Sequence, residues 1–198
     1  MALDLFETIK YTNLRKNFVY SPSEGEIDGI LEFDKNFWLV ECKSKPPSIK
    51  SLQGDYSSIQ NDINKTVKKS ETQIGRALEN IEKLNINRNA IENPGEIIIL
   101  EGIYPQLNTT TFFCIVPNKL DIPRLIINYF DLKDILNPPD SNLFEEFLIW
   151  RTQKDMPIMC NDEVDYWIFF LKYRNNSQVQ ECLKRAVKNQ NVIFYRGW

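Results

Sequence analysis

An α/β fold with strands and helix in β-β-α-β order is what this sequence predicts. Three observations carry it. Residues 25–43 read as a β-hairpin, residues 55–84 as one long amphipathic helix, and Ile97-Ile98-Ile99-Leu100 as a buried strand. Leu3 to Lys10 is a short helix ahead of them, and Asn17 to Ser21 a strand leading into the hairpin.

The hairpin strands, Gly25 to Phe33 and Phe37 to Lys43, are rich in β-branched and aromatic residues and flank the polar turn Asp34-Lys35-Asn36. A two-residue loop at Asp34-Lys35 sets Phe33 opposite Asn36. Counting outward then pairs Ile30 with Leu39, Asp28 with Glu41, and Glu26 with Lys43. Alternation puts Asp28, Glu41, Lys43 and Glu26 on one face. Two carboxylates directly opposite sit about 5 Å apart at Cβ, and like charges there destabilise a sheet. A divalent cation between them, with an ammonium close by, makes sense of the arrangement. Mg²⁺ takes oxygen ligands of this type, and such an ion activates water and neutralises charge on a phosphodiester. Lys43, two residues beyond Glu41, stays on that face as a compact cation for water or phosphate.

Lys45-Pro46-Pro47-Ser48 breaks the second hairpin strand. The helix expected from Asp55 to Leu84 follows, its stripe made by Tyr56, Ile59, Ile63, Val67, Ile74, Leu78, Ile81 and Leu84. Lys65, Lys69, Gln73 and Arg76 share one flank of it. Between Lys43 and Arg76 there are seven basic residues and three acidic ones, in a chain of net charge −3. Lys45, Lys65, Lys69 and Arg76 are therefore candidate contacts to a phosphate backbone. Gly95 to Tyr104 and Thr111 to Val116 are the next expected strands. After Pro123 the pattern reads as helical, with segments Arg124–Leu136, Asn142–Arg151, Asp162–Arg174 and Ser177–Lys188. Asn142 with Glu145, and Asn161 followed by Asp162-Glu163, look like helix starts. Trp150, Trp167, Phe169, Phe170 and Tyr173 read as core, and the acids at 162, 163 and 165 as helix-start residues.

Composition narrows the chemistry. Hydrophobic content of 42% over 198 residues supports a folded core, and no apolar run is long enough to span a bilayer. The N-terminus lacks the pattern of a signal peptide, and the cysteines at 42, 114, 160 and 182 form no CxxC pair. A reduced, cytoplasmic setting is expected. The chain has no histidine, which excludes Ser-His-Asp and Cys-His triads, HExxH zinc sites and histidine-metal nucleases. No Gly-rich phosphate loop is present.

Gly25-Glu26-x-Asp28, followed on the next strand by Val40-Glu41-Cys42-Lys43, resembles the PD-(D/E)xK nuclease superfamily. Asp28 matches the first acid of the motif, Glu41 the second and Lys43 its lysine; Ile27 stands where the motif's Pro would be. The resemblance implies a restriction-endonuclease-like αβββαβ core with a mixed central sheet. It also implies phosphodiester hydrolysis dependent on Mg²⁺ or Mn²⁺. It makes Asp28, Glu41 and the Cys42 backbone carbonyl metal ligands, Lys43 catalytic, Gln73 a catalytic glutamine on the helix, and Glu7 an upstream acid completing the metal site. The expected organisation is a core of residues 1–122 and a C-terminal helical extension, 123–198, packed on it or on a partner. The expected function is a metal-dependent endonuclease, with DNA ahead of RNA, working as a homodimer or within a larger assembly and away from membranes. A non-catalytic nucleic-acid- or protein-binding module on the same fold is the alternative. Hydrolysis of another phosphate ester is also compatible with these residues.

Overall fold

The fold is α/β, with a mixed five-stranded sheet in the order β1-β2-β3-β4-β5. The computed structural model describes residues 2–10, 12–21, 25–87, 90–102, 118–137, 140–153, 156 and 162–188. A short 3₁₀ helix, Ala2–Thr8, precedes β1 (Asn13–Ser21), β2 (Gly25–Glu32) and β3 (Phe37–Lys43), which pair antiparallel. Helices α1 (Ile49–Leu52), α2 (Tyr56–Lys65) and α3 (Val67–Glu79) and a 3₁₀ turn at Ile81–Leu84 then carry the chain over to β4 (Pro94–Leu100). β4 lies parallel to β3, and β5 (Arg124–Asn128) parallel to β4. Four helices follow or flank the sheet's end: α4 (Tyr129–Ile135), α5 (Phe144–Arg151), α6 (Glu163–Tyr173) and α7 (Ser177–Lys188).

The hairpin register is the expected one. Ile30 pairs with Leu39 and Gly29 with Val40, and the turn closes with the Phe33 N–H donating to the Asn36 carbonyl at 2.9 Å. Alternation along β3 sorts its residues onto two faces. Trp38 and Val40, with Ile97, Ile99, Leu125 and Ile127, pack under the N-terminal 3₁₀ helix and the C-terminal helices. Phe37 and Leu39, with Ile98, Leu100 and Ile126, pack against Ile63 of α2 and Val67, Ile74 and Ala77 of α3. Glu41 and Lys43 belong to this second face. At Gly95 a side chain would collide with the Trp38 ring, so only glycine lets β4 pair that closely.

Four expectations are corrected. The long helix is two helices: Thr66, at φ −110° and ψ −79°, separates α2 from α3, its hydroxyl bonded back to the Asp62 carbonyl at 2.8 Å. A short extra helix, α1, precedes them, with Ser48 as its N-cap. Arg124–Asn128 is a strand and not the start of a helix, so a core drawn at residues 1–122 omits part of the sheet. Strands covered on both faces read as unbroken apolar runs, and Leu125-Ile126-Ile127 merges in sequence with the helix behind it. Asn142 does not cap α5, which starts after Leu143 without a side-chain cap; Glu145 instead accepts from the Asn36 amide at 2.9 Å. Asp162 caps α6 as expected, accepting from the Asp165 N–H. The strand expected at Thr111–Val116, together with Asn161, Cys114 and Cys160, lies outside the described residues. The C-terminal helices share one core with the sheet, where Phe147 meets both Trp167 and Phe170 edge to face.

Candidate functional site

The end of β3 gathers three of the expected residues by side-chain contact. Glu41 is fully buried. Its Oε2 accepts from Lys43 Nζ at 2.5 Å, and the same ammonium donates to Gln73 Oε1 of α3 at 2.8 Å. Strand periodicity brings Glu41 and Lys43 to the face that α3 covers, and the helix supplies Gln73 from above. An ammonium has three donors, so two bonds leave Lys43 one N–H to offer. Glu41 Oε1 is buried and accepts no hydrogen bond. A buried carboxylate oxygen without a partner is costly unless a cation or proton answers it.

Asp28 joins the site differently from the expectation. The pairing of β2 with β3 is laid out from Gly29–Val40 to Glu32–Phe37, and Asp28 lies just past its end. Its carboxylate reaches across to the β3 backbone, where Oδ2 accepts from the Cys42 N–H at 2.8 Å. Ile27 and Ile30 fall in one apolar cluster although strict alternation would separate them, so the period of β2 shifts beside Asp28. The Asp28 carboxylate is thereby held against the peptide unit flanked by Glu41 and Lys43. Glu26 does not pair with Lys43. It is exposed and sits opposite Val19 of β1.

The electrostatics follow from burial. Desolvation pushes the Glu41 carboxyl up to about 7; Lys43 opposes the shift, the Asp28 charge adds to it, and the Asp28 backbone N–H opposes it least. Burial, with Asp28 and Glu41 nearby, pushes the Cys42 thiol up to about 12. The thiol therefore stays protonated, and only the Cys42 backbone offers metal-binding oxygen. Among the described residues no group of three or more acidic, cysteine or histidine side chains comes together as a metal cluster. The two carboxylates brought together here are hard oxygen donors, the chemistry that suits Mg²⁺ or Mn²⁺ with water completing the shell. The orphaned Glu41 oxygen next to a second carboxylate fits such an ion.

Two expected residues fall elsewhere. Glu7 is exposed, bonded to Lys16 Nζ at 2.5 Å, on the 3₁₀ helix that packs the opposite face of the sheet. It does not complete the site, because the even-numbered residues of β3 lie between it and Glu41. Lys45 is paired: its Nζ lies 3.3 Å from Asp62 Oδ1. Lys65, Lys69 and Arg76 are exposed, with Lys65 and Lys69 on different helices across the Thr66 break.

A polar cluster on the same face escapes sequence reading. Glu71 of α3 accepts from Arg124 Nη1 at 3.3 Å and from the Lys119 N–H at 2.7 Å, and Arg124 Nε lies 3.7 Å from Glu96 Oε1. Both Glu96 oxygens are buried without hydrogen bonds, and burial pushes its carboxyl up to about 8. The only signal was a glutamate at the mouth of an apolar strand, Gly95-Glu96-Ile97, which ordinarily marks a strand end.

No helix among the described residues is long and apolar enough to cross a membrane. No protein-family model matches the chain, and no curated protein matches it. Among solved structures, the chain is similar to the small subunit of a heterodimeric restriction endonuclease, at 18% identity and a TM-score of 0.42, over 87% of this chain and 88% of that one.

Proposed function

We propose that this chain is a divalent-cation-dependent endonuclease that hydrolyses nucleic-acid phosphodiesters, with DNA ahead of RNA. One observation carries the reading: the buried Glu41 carboxylate has one oxygen on Lys43 and the other without a partner, beside an Asp28 carboxylate fixed on the next peptide. Asp28, Glu41 and the Cys42 carbonyl would hold Mg²⁺ or Mn²⁺. Such an ion, when bound, supplies an activated water and charge neutralisation at a phosphodiester. Glu41 fixes the Lys43 ammonium, and Gln73 fixes it from the second side. The remaining Lys43 donor is set for a phosphate oxygen or the attacking water. Asp28, bonded to the Cys42 N–H, ties its carboxylate to the peptide that joins Glu41 to Cys42.

The second reading, a binding module that keeps the fold without catalysis, is favoured by the closeness of Lys43 to Glu41. That contact already offsets the buried charge without an ion. Incubation with single- and double-stranded DNA and RNA in Mg²⁺ and in Mn²⁺, each with an EDTA control, separates the two. EDTA-sensitive cleavage of at least one substrate is the expected result. Binding without cleavage across the panel favours the second reading.

A further inference from the structure

We propose that Glu71 is a positioning residue for the candidate site: it fixes the rotation of α3 about its own axis and so holds Gln73 on Lys43. The inference deepens the endonuclease reading, and its consequence for cleavage rests on that reading. Among the described residues, the side chains of α3 make polar contact outside their own helix at two places. Gln73 Oε1 accepts from Lys43 Nζ at 2.8 Å; Glu71 Oε1 accepts from Arg124 Nη1 at 3.3 Å and from the Lys119 N–H at 2.7 Å. Residues two apart lie about 200° apart around a helix, so these bonds leave α3 on opposite flanks. One reaches the end of β3, and the other reaches the start of β5 and the segment before it.

The Glu71 anchor is stiff. Glu71 and Arg124 are both buried, and Arg124 begins β5. The segment that offers the Lys119 N–H is tied to itself: Asn118 Oδ1 accepts from the Leu120 N–H at 3.2 Å, and the Asn118 amide donates to the Ile122 carbonyl at 2.6 Å. Gly75, one turn along α3 from Glu71, lets Leu120 seat against the helix; a Cβ there would lie 3.2 Å from Leu120 Cδ2. Val67, Ile74 and Ala77 supply apolar contact between α3 and the sheet. Apolar contact has no direction, so it tolerates a small roll of the helix. A roll of about 10° moves a side-chain tip about 6 Å from the axis by about 1 Å. That stretches the Gln73–Lys43 bond past hydrogen-bonding range. The Glu71 bonds oppose the roll from the other flank. A buried ion pair adds little net stability over apolar side chains of the same volume, and its clearest use is to set register.

The test reads Gln73 directly. Its side-chain amide pair in a heteronuclear NMR correlation spectrum is assigned by its loss in Gln73→Ala. In Glu71→Ala the pair should move in the direction that Lys43→Ala moves it, because both changes release Gln73 from the ammonium. Glu71→Gln should leave the pair in place, since one carbonyl oxygen can accept both bonds that Glu71 Oε1 accepts. Should Glu71→Ala fail to fold, Glu71→Asp makes the comparison. A side chain one methylene shorter either lets go of Arg124 or turns the helix toward it, and the pair moves in both cases. An unmoved pair in the folded variant overturns the proposal. Cleavage gives a second readout. Under single turnover in Mg²⁺ with saturating protein, Glu71→Ala should lose about tenfold or more, with unchanged affinity in Ca²⁺. In a Gln73→Ala background it should lose nothing further. A full additional loss there overturns the proposal, because Glu71 would then act on the fold and not through Gln73. The expected amide shifts in a protein that cuts nothing sink the endonuclease reading alone. Wild-type cleavage that Glu71→Ala matches sinks the Glu71 assignment alone.

Discussion

Lys43 is held by Glu41 on its own strand and by Gln73 from α3, so its ammonium is positioned before any substrate arrives. Preorganised charge of this kind contributes chiefly to the transition state. Lys43→Ala should lower single-turnover cleavage by about 10² or more with little change in affinity. Lys43→Arg should not restore the rate, because a planar fork does not replace a compact ammonium between those two oxygens. Cleavage by Lys43→Ala at the wild-type rate would remove it from the chemistry. Glu96 carries a separate prediction. Its carboxyl rises from the ordinary 4.5 to about 8 in the folded protein through burial. The folded state then holds a proton that the unfolded state has released, so the Glu96 contribution to stability falls as pH climbs from about 4.5 to about 8. Glu96→Gln, which stays neutral, should gain on wild type across that window in urea titrations; a constant difference would contradict the assignment.

At the scale of elements, the hairpin was legible because its turn, alternation and flanking residues all point to one register. The pairing of Asp28 directly opposite Glu41 was not. The ladder to β1 skips the Asn17–Asp28 pair, where Asn17 has a φ of 49°, and the carboxylate finds a backbone donor on β3 instead. The helix over 55–84 shows the same limit. Its apolar stripe runs through Thr66 without a break in period, so only the backbone reveals that α2 and α3 are separate. Gln73, on the flank of the helix, does reach Lys43, and its place on α3 is clear of that break. Glu7 was misplaced because sequence order does not say which face of the sheet a helix covers. Asp62 locks α1 to α2 with three donors, and the serine bonds hold its carboxyl well below the usual carboxylate range. Asp62→Ala should cost about 2–3 kcal/mol, read by urea denaturation. A loss under about 0.5 kcal/mol would show that these bonds contribute little.

For the whole molecule, β5 and the C-terminal helices were the least legible part, because strands covered on both faces lose their alternation. Once in place they bury Phe144, Phe147, Trp167 and Phe170 in the same core as Trp38 and Val40 of β3. Unfolding should therefore be a single transition by both far-UV circular dichroism and tryptophan fluorescence. Phe147→Ala should destabilise it by about 3–5 kcal/mol, whereas two separated transitions would mark the helices as an independent unit. Charge acts at this scale too. The chain is net −3, yet Lys65, Lys69 and Arg76 stand exposed on α2 and α3. Replacing the three by Ala should flatten the plot of log K against log salt by about 2–3, and an unchanged slope would assign them to solvation.

Calorimetric titration with Mn²⁺ asks whether Asp28 and Glu41 hold a divalent cation. Wild type should bind the ion. Asp28→Asn and Glu41→Gln should each abolish the heat while keeping the wild-type circular dichroism spectrum. Equal Mn²⁺ affinity in all three proteins would contradict the site.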